Sequence, residues 1–343
     1  MILSTLDKSR KGGAYEQIPS LVLGQRWTPQ LNSRNMMKVV LCVWIEPYIE
    51  NDLSFCVWPV HTPTTSKEVL TLSASTSPLP YTGNKSCIVN TILSVMPKHT
   101  VYIDPCMGSA EVFFRKPRAE KEILNDYNGD LVNLFRVIQN NEKLAYLLGR
   151  LYLSINGELA FKQNKDRLKG VPNILDDVIE TSQIFYDASW EDIQNAAAFL
   201  ENQVYSFSST GQTFGIARRD MSQRLPRLMS AYNRIRDAII LHRDYKDVIT
   251  YAACPGSFIL LDPPYKGTED MYSKANFDIE QHDILFSFMS EVNQQHHGEV
   301  KFLITYNNDP YIRGVAEKHG FDTFVQTRLH SMKQSKEAGA LYE

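Results

Sequence analysis

Asp262-Pro263-Pro264-Tyr265 directly follows the apolar run Ser257-Phe258-Ile259-Leu260-Leu261. Such a run, bounded by Gly256 and the two prolines, predicts a central parallel strand, and ligands gather at the carboxyl ends of such strands. Asp and Pro are ordinary turn formers. This turn, however, sets a carboxylate, a rigid diproline backbone and an aromatic face side by side. The chemistry these groups could serve is attack by a poor amine. The exocyclic amino group of a base has its lone pair delocalised into the ring. Acceptors on its hydrogens, here the Asp262 carboxylate and the Pro263 carbonyl, would localise that pair toward a methyl donor, while Tyr265 stacks on the ring. Stacking of this kind contributes roughly 1–3 kcal/mol per base. Extruding a base from a duplex costs a comparable few kcal/mol.

A second group of residues could hold a nucleoside. Val101-Tyr102-Ile103 predicts a short buried strand that runs into Asp104-Pro105-Cys106-Met107-Gly108-Ser109-Ala110, where small residues let a ligand approach the backbone. Glu122-Ile123-Leu124-Asn125 predicts the next strand, ending at Asp126. An acid about 20 residues beyond such a turn is placed for ribose hydroxyls. Upstream, Pro80-Tyr81-Thr82-Gly83-Asn84-Lys85-Ser86 reads as a loop entering a helix, where Lys85 and backbone amides suit the carboxylate of a methionine moiety. It is not a phosphate-binding P-loop, because Asn84 separates Gly83 from Lys85.

Alternating elements must position these groups. Ile88, Val89, Ile92, Leu93 and Met96 recur at helical spacing, as do Leu131, Leu134, Phe135 and Ile138, and then Ile284, Leu285, Phe288, Met289 and Val292. Lys301-Phe302-Leu303-Ile304-Thr305-Tyr306 predicts a further strand. The alternation predicts an α/β fold, a doubly wound Rossmann-like sheet with right-handed crossovers. Between about Asn141 and Ile240 strand patterns vanish, and Ser189-Trp190-Glu191-Asp192 resembles a helix start, so this stretch is expected to be a mostly helical insertion. The expected organisation is therefore a catalytic domain of residues 78–140 and 241–343 interrupted by an insertion over 141–240. Residues 1–77 form an extension without assigned chemistry, expected to be poorly ordered, in which Met37-Lys38-Val39-Val40-Leu41-Cys42-Val43-Trp44-Ile45 is a plausible strand.

Composition narrows the class. The chain has 343 residues and a formal charge of −3, which argues against a wholly basic nucleic-acid coat but not against a local basic face. Cys42, Cys56, Cys87, Cys106 and Cys254 are scattered without zinc-knuckle or disulfide-framework spacing. The histidines show no ligand spacing either, so no metal is expected. With no signal peptide pattern and no apolar run near the roughly 20 residues needed to span a bilayer, a soluble, cytoplasmic protein is expected.

Taken together, Tyr81-Thr82-Gly83-Asn84-Lys85, Asp104-Pro105-x-x-Gly108-Ser109-Ala110, Asn125-Asp126-Tyr127-Asn128-Gly129-Asp130-Leu131 and Leu261-Asp262-Pro263-Pro264-Tyr265 resemble a Dam-type adenine-specific DNA methyltransferase, in order and spacing, from about Pro78 onward. The resemblance implies S-adenosylmethionine as cofactor, N6 of adenine in double-stranded DNA as target, and Asp262 as catalytic acid that also lies near the cofactor. It implies cofactor contacts from Tyr81, Lys85 and Asp126, and places Arg243-Asp244-Tyr245 beside the cofactor adenine. The insertion corresponds to a target-recognition region, in which Ser206 to Gly215 resembles a characteristic stretch. Arg218, Arg219, Arg224, Arg227, Arg234 and Arg236 follow it with Asp220 as the single acid among them between Arg218 and Arg236, a basic face for phosphates. A monomer, with a restriction endonuclease as companion in the cell, is the expected setting. Two departures stand out: Ala110 replaces the usual glycine, and the sequence ends at Leu341-Tyr342-Glu343, about where the family's last apolar strand would begin. An RNA adenine or cytosine amino methyltransferase, and a catalytically silent DNA-binding module, are the alternative readings.

Overall fold

The computed structural model describes residues 37–45, 76–176, 189–217, 219–268 and 277–329. Seven strands form one sheet: β1 (Met37–Ile45), β2 (Val101–Asp104), β3 (Lys121–Asn125), β4 (Ile239–Leu241), β5 (Ser257–Leu261), β6 (Lys301–Asn307) and β7 (Asp322–Leu329), in the order β4-β3-β2-β5-β6-β1-β7. Every pairing among them is parallel. A parallel sheet needs helices on both faces, and successive strand residues divide between them. Tyr102, Leu124, Phe258 and Leu260 join one apolar cluster, whereas Ile103, Ile123, Ile259, Leu261 and Ile304 join the other.

The first cluster is covered by α1 (Val89–Val95), α2 (Glu111–Arg115), α3 (Gly129–Gln139), α4 (Asn141–Tyr152), α5 (Glu158–Lys169), α6 (Trp190–Tyr205) and α7 (Leu225–Ile235). The second is covered by α8 (Tyr245–Ala252), α9 (Ile279–Gln295) and α10 (Pro310–Lys318). The expected Rossmann-like arrangement is therefore present. Leu131, Leu134, Phe135 and Ile138 are all fully buried on α3, as their spacing requires. The stripe expected on α9 is rotated. Ile284 is exposed, and His282 and Phe286 point inward instead. The cause is Tyr306: its hydroxyl lies 2.8 Å from His282 Nδ1 and its ring stacks on Phe286.

The helical insertion occupies the crossover from β3 to β4. Ser189 and Asp192 form a capping box that starts α6, satisfying backbone donors that a helix start leaves free. The expected boundary at Ile240 falls inside β4, a strand too short for the sequence pattern to show. The N-terminal stretch supplies β1, which lies between β6 and β7 with Val40 opposite Thr305 and Phe324. Among the described residues no helix is long and apolar enough to cross a membrane.

One member of the expected basic face turns inward. Arg234 is buried, donates from Nη1 and Nη2 to Glu122 at 2.5 and 2.8 Å, and lies 3.7 Å from the Phe113 ring centroid. Lys116 binds the same carboxylate at 2.5 Å. Arg234 thus anchors α7 of the insertion to β3 and is withdrawn from the expected basic face. Burial alone would raise the Glu122 carboxyl, but the hydrogen bonds from Arg234 and Lys116 outweigh it and hold the group below the usual range. Removing one partner of a buried charge set leaves the others uncompensated. Glu122→Ala is therefore expected to lose about 3–5 kcal/mol, read by urea unfolding at neutral pH. A loss under 1 kcal/mol would contradict this account.

Candidate active site

The sheet order reverses between β2 and β5, whose Ile103 and Ile259 are paired, so Asp104 and Asp262 emerge side by side at the carboxyl ends. A cavity of about 880 Å³ opens there. It is lined by Tyr81, Lys85, Asp104, Pro105, Gly108, Asp126, Asp244, Tyr245, Asp262, Pro263 and Pro264. The sequence expectations for a cofactor and for the diproline loop thus converge on one space.

Asp262 is held at both oxygens. Lys85 Nζ is hydrogen-bonded to Oδ2 and also donates to the Gly83 carbonyl at 2.6 Å. Thr305 Oγ1, fully buried on β6, donates to Oδ1 at 2.5 Å. Lys85 was expected at a cofactor carboxylate; in this structure its partner is the catalytic-loop aspartate. Thr305 lies within the expected strand Lys301 to Tyr306 and was assigned no role there. A hydroxyl at the carboxyl end of a central strand was the available signal.

The nucleoside side is equally ordered. Asp126 accepts the Gly108 amide on Oδ2 at 3.0 Å and the Asn128 amide on Oδ1 at 2.9 Å. Gly108 has φ +49°, a left-handed conformation that favours glycine, while a Cβ there would meet the Tyr81 ring only at an ordinary contact distance of 3.7 Å, so backbone conformation rather than space calls for glycine. Tyr245 presents a buried hydroxyl with no hydrogen-bond partner among the described residues, and Asp244 caps α8 by accepting the Lys246 amide at 2.8 Å. An orphaned hydroxyl beside a glycine turn and a fixed acid suits a ribose-bearing ligand with polar edges. Ala110, which replaces glycine, adopts φ 54° and ψ 31°, a left-handed conformation that costs a non-glycine residue roughly 1–2 kcal/mol. The glycine preference at this position has a backbone cause.

A sequence profile of the D12 class N6 adenine-specific DNA methyltransferases matches residues 81–334. The chain belongs to this family. It is 25% identical to a DNA N-6-adenine-methyltransferase of Escherichia phage P1 over 70% of its length and 31% of the phage protein's. It is 21% identical to modification methylase LlaI of Lactococcus lactis subsp. lactis over 65% of its length and 36% of that protein's. A similar match, 25% identical, is to modification methylase StsI of Streptococcus sanguinis, with 67% of this chain and 35% of that one covered. The chain thus spans about a third of the length of these three relatives.

Within this D12 chain some expected residues stand apart from the cavity. Tyr265 does not line it; its ring packs on Tyr306, with centroids 5.8 Å apart, and Lys85 Nζ lies 5.2 Å from its centroid. Phe277, which sequence reasoning missed, does line it. Arg218 lies outside the described residues. Arg219 donates to the Val204 carbonyl and lines a second, shallower cavity with Tyr205 and Phe214. Burial, and then the charges of Arg227 and Arg219, lower the Arg224 guanidinium from its ordinary value. Lys165 and Lys169 of α5, which carried no sequence signal, line the main cavity.

The acids in the cavity repel one another. Burial, opposed by a hydrogen bond from Tyr102 and reinforced by Asp262 and Asp126, pushes Asp104 up to about 8. Burial also raises Asp126, to about 6, against the backbone amides that it accepts. Both keep their protons to higher pH when folded than when unfolded. Their contribution is therefore present in full below an unfolded value of about 4 and is lost as pH rises through about 6 and then about 8. In urea unfolding from pH 5 to 8.5 the chain should lose stability, and Asp104→Asn should lose distinctly less. Equal slopes for the two would contradict the assignment.

Proposed function

We propose that the chain transfers the methyl group of S-adenosylmethionine to N6 of an adenine swung out of double-stranded DNA. The observation that carries this reading is the meeting of Asp262 and the diproline with Lys85, Asp126 and Gly108 around one cavity. The cofactor supplies, when bound, a methyl group already activated on a sulfonium. Asp126, Gly108, Tyr81 and Tyr245 would hold its nucleoside, on the geometry described above.

The protein's own work is on the amine. Asp262, fixed by Lys85 and Thr305, accepts one N6 hydrogen and the Pro263 carbonyl accepts the other. The lone pair is thereby drawn out of the ring toward the methyl. Tyr265 supports the loop through Tyr306, and Phe277 offers an aromatic surface on the cavity wall. Phosphate contacts from Arg219, Arg224 and Arg227 would supply salt-sensitive affinity for the duplex.

Mixed-sequence unmethylated DNA incubated with labelled S-adenosylmethionine should yield N6-methyladenine on nucleoside mass spectrometry. N4-methylcytosine, or label confined to RNA, would overturn the substrate; no transfer at all would overturn the activity. Asp262→Ala should lower kcat on the order of a hundredfold or more. Thr305→Val should lower kcat with little change in the KM for cofactor, because it frees Asp262 without touching the nucleoside side. Thr305→Ser, which keeps the hydroxyl, should recover most of the rate. If the valine variant matches wild type, Thr305 does not position Asp262.

A further inference from the structure

One wall of the cavity is made by the insertion rather than by the strands. Gln203, near the end of α6, lines it beside Thr210, Gly211 and Gln212, and is 7% exposed. Its Oε1 is buried with no hydrogen-bond partner among the described residues. Gly211 makes room for the side chain: it sits at φ +69°, and a Cβ there would approach Nε2 to 3.0 Å. A buried amide oxygen left unpaired costs about 1–3 kcal/mol, and native proteins seldom retain such a group without use for it.

Its surroundings place Gln203 toward the reacting end. The loop that follows it is tied to the catalytic side, since Thr82 Oγ1 lies 3.3 and 3.1 Å from the carbonyls of Ser208 and Ser209. Three residues beyond Thr82, Lys85 pairs with Asp262. Gln203 therefore lines the cavity on a wall whose following loop is tied to the segment that carries Lys85, the partner of Asp262.

We propose that Gln203 reads the ring-nitrogen edge of the base being methylated, an inference that rests on the adenine reading above. With both N6 hydrogens taken by Asp262 and the Pro263 carbonyl, adenine presents only acceptors on its ring. A carboxamide NH2 complements an acceptor, whereas a carboxylate would repel it. Asn and Gln also pair with adenine edges within the duplex grooves, so the match of chemistry is a general one.

The test compares wild type, Gln203→Leu and the isosteric Gln203→Glu on duplexes carrying the methylated sequence, identified beforehand by modification-aware sequencing. The target adenine is replaced in turn by its 1-deaza, 3-deaza and 7-deaza analogues. One analogue should lower kcat/KM of wild type by roughly tenfold to a hundredfold. Gln203→Leu should show that loss on ordinary adenine and be indifferent to that analogue, while binding S-adenosylmethionine as wild type does in calorimetry. If the leucine variant fails to bind cofactor, the glutamate variant decides by the same comparison. Equal analogue effects in wild type and variants would overturn the role of Gln203 and leave the methyltransferase reading standing. Absence of adenine methylation by wild type would remove both.

Discussion

The contact on which the site depends is the tie between Lys85 and Asp262, residues 177 positions apart. Lys85 belongs to the loop that opens the first helix, and Asp262 to the end of the central strand. Bringing a cation and a carboxylate together there joins the nucleoside side of the cavity to the side where an amine would be activated. Thr305 completes the arrangement from the next strand, so Asp262 is oriented by groups from both flanks. Among the acids around the cavity, Asp104 and Asp126 are raised by burial and by their neighbours.

The insertion is built into the core of the fold. Its helices pack on the same face of the sheet as α1 to α3, through a continuous apolar cluster that runs from Phe135 through Leu200 to Leu228. The buried Arg234–Glu122–Lys116 set then fixes α7 against β3. Because the insertion is anchored in this way, the loop after α6 can serve as a wall of the cavity. Gln203 and Gly211 lie on that wall.

The N-terminal strand has a comparable structural consequence. Inside a parallel sheet a strand is covered on both faces, which favours a continuous β-branched and apolar run. Met37–Ile45 has that composition, and it pairs with β6 along one side and β7 along the other. Its register sets Val40 opposite Thr305, the residue that positions Asp262. A stretch with no chemistry of its own thus sits one strand away from the catalytic loop.

Much of this protein was legible in its residues. Short-range patterns gave the strand at Ser257–Leu261, the α3 stripe, the α6 cap and the motif residues that meet in the cavity, because each depends on neighbours a few positions away. The role of Lys85 as a partner of Asp262, the hydroxyl of Thr305 and the free amide of Gln203 depended on contacts between distant segments, which periodicity does not encode. Arg234 shows the same limit from the other side: charge counting placed it on a surface, and only the packing of α7 against Glu122 put it in the core. The sequence by itself determined which chemistry was available, since residue types and local spacing decide that. Tertiary structure decided which groups hold one another in place, because orientation and desolvation arise only when distant elements pack.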